Sequence, residues 1–193
     1  KLAVSMININ EGSVKSTIAF YNYGTVGQNE IDHWVGVNNY DDMVIPEMEF
    51  TSNDRMVAFG DTKAVIFEGA QKPQAIAEIP MDEKTKSIFY NEHYIGIVTG
   101  NEDEAVTNHL AVYDENGKLV MEKDFGLDYS SIEFLTNNEI CIRNANVCDI
   151  YTVHGVYKFH HEFEEELFEI IPGKLKLNYT LVLKDTTQRI RLK

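Results

Sequence analysis

Residues 87–98 read Ser-Ile-Phe-Tyr-Asn-Glu-His-Tyr-Ile-Gly-Ile-Val, two short apolar runs on either side of a polar turn. Both runs are rich in β-branched and aromatic residues, which favour strands. The polar residues between them stand where an antiparallel hairpin reverses the chain. This stretch therefore predicts a β-hairpin whose second strand is apolar on both faces and lies buried inside a sheet.

The hairpin pattern recurs along the chain. Similar pairs of runs occur at 48–59 and 131–142 and, more weakly, at 167–183. The residues that we take as equivalent are separated by 40, 44 and 36 positions: Phe50, Tyr90, Phe134 and Ile170. A period of about 40–45 residues, with room for four short strands, is typical of the blades of a β-propeller.

We therefore predict an all-β fold of β-propeller blades, each a four-stranded antiparallel sheet. The predicted units are a partial blade at 1–45, blades at 46–80, 85–125 and 129–163, and a partial blade at 167–193. Together they form a single propeller-like region, interpreted as the C-terminal part of a larger propeller. A self-contained β-sandwich is the alternative. Because incomplete blades leave strand edges exposed, the prediction includes a dimer formed through sheet edges.

Composition restricts the function. The chain has 193 residues, of which 44% are hydrophobic, and this is enough for a well-buried core. Its formal charge of −14 repels phosphate backbones and anionic lipid headgroups, which argues against nucleic-acid binding and electrostatic membrane docking. No stretch approaches the roughly 20 apolar residues of a membrane-spanning helix.

Two cysteines are too few for a disulfide-stapled scaffold, but their spacing is informative. If Asn144-Ala145 is a two-residue turn, Cys141 and Cys148 lie directly opposite each other on adjacent strands. Cα separations there are about 4.5–5.5 Å, which a disulfide can span in an oxidising compartment. Two reduced cysteines, buried as small apolar residues, are the alternative.

The residues that could carry chemistry form no recognised motif. His160-His161 begins the densest cluster of possible metal ligands, but adjacent residues on a strand point to opposite faces. The acidic loops at 41–42, 101–104 and 114–116 lack the twelve-residue calcium-binding pattern. The sequence also holds no nucleophile elbow and no phosphate-binding loop. We assign no catalytic, cofactor-binding or metal-binding residue, and we expect no cofactor.

Several segments resemble a known family. They lie at 15–31, 46–50, 56–61, 86–92 with 94–96, and 154–159, and residues 16–31 are the most specific. These segments resemble an uncharacterised family of Gram-positive bacterial proteins, a domain of unknown function with an N-terminal membrane anchor and an extracytoplasmic propeller-like region. The resemblance implies an upstream anchor with further blades, and a location outside the membrane that would favour a Cys141–Cys148 bridge. It assigns no functional residue.

Two functions from different classes fit these observations. The first is a non-catalytic extracytoplasmic binding module, anchored at the cell surface or secreted, that presents propeller loops to a protein or glycan. The second is a carbohydrate-active hydrolase that uses carboxylates at the propeller mouth. A pocket lined by acids and aromatics, with raised carboxylate pKa values, would favour the hydrolase, and a shallow face would favour binding.

Overall fold

The computed structural model describes residues 2–10, 12–21, 34–52, 54–69, 72–100 and 108–192. Within these residues every regular element is a β-strand, and each sheet is an antiparallel meander of strands consecutive in sequence. The predicted all-β fold with four-stranded antiparallel sheets is confirmed. A β-sandwich, which needs two facing sheets, does not fit five separate meanders.

The described sheets group into two compact units. The first unit holds a sheet of β1 (Leu2–Asn10), β2 (Ser13–Tyr21) and β3 (Trp34–Asp41). Its second sheet, in the order given, contains β4 (Glu47–Phe50), β5 (Arg55–Phe59), β6 (Lys63–Glu68) and β7 (Gln74–Pro80).

The second unit holds three sheets, each in sequence order. The first contains β8 (Thr85–Tyr90), β9 (Tyr94–Gly100), β10 (Asn108–Asp114) and β11 (Leu119–Phe125). The next contains β12 (Ser131–Phe134), β13 (Glu139–Asn144), β14 (Val147–Thr152) and β15 (Tyr157–Glu162). The last has three described strands, β16 (Leu167–Pro172), β17 (Asn178–Leu183) and β18 (Thr187–Arg191). No helix in the described part of the chain has the length and apolarity needed to span a bilayer.

The middle strands of the four-stranded sheets form the cores. Strands β5, β6, β9, β13 and β14 are buried on both faces over most of their length, as their continuous apolar runs predict. In the second unit, Ile140 and Ile142 pack in one cluster and Leu181 in another, all at most 1% exposed. Each such side chain contributes about 1.5–3 kcal/mol through burial.

A β-bulge recurs at the start of the outer strand in four sheets. In each, one residue of the outer strand is skipped in the pairing, next to an aromatic residue of the inner strand. The skipped residues are Val35 on β3, Ile76 on β7, Val120 on β11 and Lys158 on β15. A bulge bends its strand and changes the direction of a side chain. Lys158, the one charged residue among these four, reaches Glu139 on β13 in this way.

Candidate functional site

A cavity of about 510 Å³ lies within the second unit, beside the turn formed by residues 173–178 between β16 and β17. Small-molecule pockets in proteins have volumes of about 300–1,000 Å³. Asn137 and Glu139 at the start of β13 line it, together with Lys158 and residues 173–178. Of these lining residues, only Glu139 is acidic.

Glu139 is placed in the cavity wall by the turn that precedes β13. Asn138 adopts a left-handed conformation (φ 61°), and its N–H donates to the carbonyl of Leu135 at 2.9 Å. The Glu139 N–H donates to Oδ1 of Asn137 at 3.3 Å, while the Glu139 carbonyl accepts from the Leu135 N–H. The residue is 8% exposed, so its carboxylate needs partners in place of water.

Lys158 supplies the charged partner. It is the skipped residue of the bulge between β14 and β15, and its Nζ donates to Oε1 of Glu139 on the far side of β14. The Lys158 and Glu139 side chains are 20% and 10% exposed, so the ion pair is largely withdrawn from solvent. The bulge therefore turns a residue of an outer strand toward the inner part of its sheet.

Tyr179 on β17 is the third member of what we call the Glu139 cluster (Glu139, Lys158 and Tyr179). Its hydroxyl donates to Oε2 of Glu139 at 2.5 Å and lies 3.4 Å from Nζ of Lys158, which donates to it. Burial alone would raise the pKa of Glu139, but hydrogen bonds from Lys158, Tyr179 and Asn137 and the lysine charge lower it on balance. Burial and the bond to Glu139 raise the pKa of Tyr179.

The 173–178 turn forms the exposed side of the cavity. Leu175 is 74% exposed between Lys174 and Lys176, so an apolar side chain stands between two cations. Leu177 has a left-handed backbone (φ 65°), a conformation that costs a non-glycine residue about 1 kcal/mol. Such strain is concentrated at ligand-binding segments of proteins. The turn therefore offers an apolar and cationic contact surface.

The chemistry of the Glu139 cluster favours binding over proton transfer. A general acid in a glycosidase needs a raised pKa and a second carboxylate on the other side of the scissile bond. Glu139 has a lowered pKa, both of its oxygens accept hydrogen bonds, and no other acid among the described residues lines the cavity. The cavity therefore gives the predicted hydrolase no support.

Neighbouring turns at the same end of the sheets are linked to this site. Nδ2 of Asn91, in the turn between β8 and β9, donates to Oδ1 of Asn138 at 2.8 Å. A cavity of about 330 Å³ lies between these two turns and is lined by His93 and Phe134 among others. Two adjacent concave sites thus lie along the hairpin turns of the second unit.

The comparison with family models decides the membership of the chain. A model described as a family of unknown function, DUF5711, matches residues 1–192. The chain belongs to the DUF5711 family. No curated protein matches it at a significant level.

Solved structures show that the DUF5711 chain has the sheet architecture of β-propeller proteins. Hsv2 of Kluyveromyces marxianus matches with a TM-score of 0.53 and 9% identity, over 93% of this chain and 56% of that one. A eukaryotic initiation factor matches with a TM-score of 0.51 and 9% identity, over 100% of this chain and 50% of that one. The DUF5711 chain thus spans about half the length of these structures, and the likeness concerns the fold alone.

The two histidines singled out in the DUF5711 sequence lie on opposite faces of β15, as predicted. Nδ1 of His160 lies 2.7 Å from Oδ1 of Asp149 on β14. The His161 ring packs between the rings of Phe159 and Phe163, with centroid distances of 5.9 and 4.6 Å. In the described part of the chain, no three His, Cys, Asp or Glu residues are grouped closely enough to hold a metal ion.

The acidic loops have local roles where they are described. Asp41 pairs with Lys15 at 3.1 Å, and Asp42 adopts a left-handed conformation (φ 54°) that ends β3. Oδ1 of Asp114 accepts a hydrogen bond from the Lys118 N–H at 2.9 Å, which closes the turn between β10 and β11. The loop at 101–104 lies outside the described residues.

The predicted alignment of the two cysteines is wrong by one hairpin position. Cys141 pairs with Ile150 and Cys148 with Arg143, so the cysteines are diagonal neighbours on one face and do not lie directly opposite each other. Both are buried and carry free thiols, with 3.7 Å between the Sγ atoms. A hydrogen bond with Cys141, together with burial, raises the pKa of the Cys148 thiol.

Sequence reasoning did not find the Glu139 cluster. In the sequence, Lys158 resembles any exposed polar residue of an outer strand. The direction of its side chain depends on a bulge, which the alternation of polar and apolar residues does not reveal. A signal exists in the repeat, because the equivalent positions in three other sheets hold Val35, Ile76 and Val120. A lysine at a position that is otherwise aliphatic marks the sheet β12–β15 as different.

Proposed function

We propose that this DUF5711 chain is a non-catalytic binding module that acts outside the cytoplasmic membrane and presents its hairpin turns to a protein or glycan. One observation carries the proposal. In the cavity beside the 173–178 turn, Lys158 neutralises the Glu139 carboxylate and Tyr179 donates a hydrogen bond to it. The turn itself presents an exposed leucine between two lysines. Fold alone would not support a function, but a concave site with these contacts does.

The lining of the cavity supports an anionic partner group. Lys174 and Lys176 are not needed to neutralise Glu139, because Lys158 already does so. Leu175, which is 74% exposed, adds an apolar contact that gains free energy on burial. The proposed ligand therefore combines an anionic group with an apolar or sugar face, as an acidic glycan or an acidic peptide does.

The cellular setting rests on the family resemblance. That resemblance supports a Gram-positive source, an upstream membrane anchor and an extracytoplasmic, cell-surface or secreted location. The units at 1–45, 46–80, 85–125, 129–163 and 167–193 are proposed to form one propeller-like region of a longer propeller. The net charge of −14 supports a partner other than nucleic acid.

A titration followed by NMR tests the proposal. The amide spectrum of the 193-residue chain is recorded with three probes: an oligogalacturonate, a neutral chito-oligosaccharide and a glutamate-rich peptide. We expect an acidic probe to shift the amides of residues 173–178, and Leu175→Asp to abolish those shifts. Leu119→Asp, at an exposed leucine of β11 in the same unit, serves as the matched control. Hydrolysis of a glycan probe that is lost in Glu139→Gln would contradict a non-catalytic role.

A further inference from the structure

The second unit holds another cavity, of about 330 Å³, between the β8–β9 turn and the β12–β13 turn. We call it the Phe134 cavity, and it is lined by residues 91–93, 134–136 and 138. Both turns belong to sheets in which four strands are described. Among the described residues, it shares no lining residue with the cavity beside the 173–178 turn. Its volume is near the lower end of the range for small-molecule sites, which suits a small group.

The ring of Phe134 is the apolar wall of this cavity. Phe134 is half-buried, and its ring packs against the rings of Phe89 and Tyr94 with centroid distances of 4.6 and 5.8 Å. Contacts with two neighbouring rings restrict its orientation. A fixed aromatic ring offers a flat apolar surface for a methyl group or for the C–H face of a sugar.

A chain of hydrogen bonds orients the side-chain amide of Asn138. Oδ1 of Asn91 accepts from the N–H groups of His93 and Tyr94 at 2.9 and 2.8 Å, which fixes the Asn91 amide. Nδ2 of Asn91 then donates to Oδ1 of Asn138 at 2.8 Å. This bond also sets the direction of Nδ2 of Asn138, from which no described residue accepts a hydrogen bond. Asn138 therefore supplies a donor that is already oriented before a ligand binds.

Glu92 and Thr136 supply acceptors to the same cavity. Both residues are exposed, and neither side chain bonds to another described residue. No lysine or arginine is found among the described lining residues, so an anionic ligand would lie beside Glu92 without a compensating cation. A single carboxylate is also a poor set of ligands for a calcium ion. The lining therefore favours a neutral ligand that both donates and accepts hydrogen bonds.

The backbone of both turns is already paired locally. The Asn91 N–H donates to the Tyr94 carbonyl at 3.0 Å, and the Leu135 N–H donates to the Glu139 carbonyl at 2.7 Å. Peptides are commonly bound through the backbone of a strand edge or as a helix in a long groove. The Phe134 cavity instead offers side-chain groups around an aromatic ring. This arrangement favours a sugar residue over a peptide.

We propose that the Phe134 cavity binds the N-acetyl group of a neutral amino-sugar residue. An acetamido group has a carbonyl acceptor, an N–H donor and a methyl group. The carbonyl accepts from Nδ2 of Asn138, the N–H donates to the Glu92 carboxylate, and the methyl group packs on the Phe134 ring. A hydroxyl group in the same place would leave the aromatic contact unused. The inference adds a second site to the binding module and does not rest on the anionic ligand of the neighbouring cavity.

An NMR titration of the 193-residue chain tests this inference. The probe is tri-N-acetylchitotriose, and the matched control is cellotriose, which has hydroxyl groups in place of the acetamido groups. We expect the probe to shift the side-chain amide signals of Asn138 and the backbone amides of residues 91–93 and 134–136 in a saturable way. Cellotriose should bind at least about tenfold more weakly, because it lacks the methyl contact and the amide hydrogen bonds.

Variants of the chain identify the groups that bind. Asn138→Asp removes the donor but keeps an acceptor for Asn91 and tolerates the left-handed backbone, and it should weaken probe binding about tenfold or more. Asn144→Asp makes the same change at the far end of β13 and should stay within about twofold. Leu175→Asp should not alter probe binding, and Asn138→Asp should still allow an acidic probe to shift residues 173–178. The two proposals can therefore fail separately.

A second variant does not depend on the β12–β13 turn. Glu92→Ala, at an exposed side chain, should weaken probe binding about fivefold through loss of the acceptor. Equal affinities for the two trisaccharides would overturn the inference, because the acetamido group would then not be recognised. Shifts that persist unchanged in Asn138→Asp would place the probe elsewhere, and absence of any shift would exclude an N-acetylated sugar. Tighter binding of a glutamine-rich peptide at the same amides would assign the cavity to a protein partner.

Discussion

Lys158 and Glu139 meet across an intervening strand: the lysine lies in the bulge of β15, the glutamate begins β13, and β14 runs between them. In the three other sheets with this bulge the equivalent residue is aliphatic. Val35 and Val120 pack against apolar cores at this position, whereas Lys158 compensates a buried carboxylate in the wall of the cavity. The bulge thus recurs in four sheets, and the sheet in which it holds a lysine is the one that contributes Glu139 to the cavity.

Lys158→Met should lower the free energy of unfolding by about 3 kcal/mol, because it leaves the Glu139 carboxylate buried without a counter-charge. The measurement is urea unfolding at neutral pH. Lys184→Met, at an exposed lysine of the same unit, should change stability by less than about 0.5 kcal/mol. Glu139→Gln should recover most of the loss in the Lys158→Met background. Equal stability of Lys158→Met and the wild type would show that the ion pair contributes nothing.

The stability supplied by Glu139 should depend on pH in a defined direction. Its pKa in the folded chain lies below the ordinary value of 4.5: burial raises it, but hydrogen bonds from Lys158, Tyr179 and Asn137 and the lysine charge together outweigh burial. A lowered pKa contributes stability above the unfolded value and loses it as pH falls through the folded value. The wild type should therefore exceed Glu139→Gln in stability at about pH 7, and this gap should narrow below about pH 4.5. A gap that stays constant down to about pH 3 would contradict the assignment.

The sequence predicts the sheets better than it predicts their registers. Buried strands are apolar, so the sequence shows them as runs of aromatic and aliphatic residues. The repetition of these runs is what predicts the four-stranded sheets. The predicted turn between β13 and β14 lies one residue before the observed one, because Asn144-Ala145 and Ala145-Asn146 are both acceptable turns. The structure selects the second: Ala145 is left-handed (φ 48°), and Nδ2 of Asn146 donates to the Phe163 carbonyl at 2.6 Å. That contact lies 17 residues away in sequence, so local propensity could not reveal it.

The two thiols should be inert in the folded chain. Cys141 and Cys148 are both fully buried, and the pKa of Cys148 is raised, so little reactive thiolate is present. We expect Ellman's reagent to detect neither thiol in the native chain and both after denaturation in guanidinium chloride. Cys148→Ala should leave one reactive thiol under the same denaturing conditions. Detection of no thiols in the denatured, non-reduced wild type would show instead that the pair is bridged.

Gly96 should not tolerate a methyl group. A Cβ at this position of β9 would lie 2.2 Å from Cζ of Phe89, a buried ring that packs against Phe134 with centroids 4.6 Å apart. Gly96→Ala should therefore lower the free energy of unfolding by about 2 kcal/mol through overpacking. Phe89→Leu should recover part of this loss in the Gly96→Ala background. Gly126→Ala is the matched control, because its Cβ would meet nothing within 4 Å. Thermal unfolding followed by circular dichroism measures all four chains, and equal melting temperatures for the two glycine variants would mean that the ring yields to the methyl group at no cost.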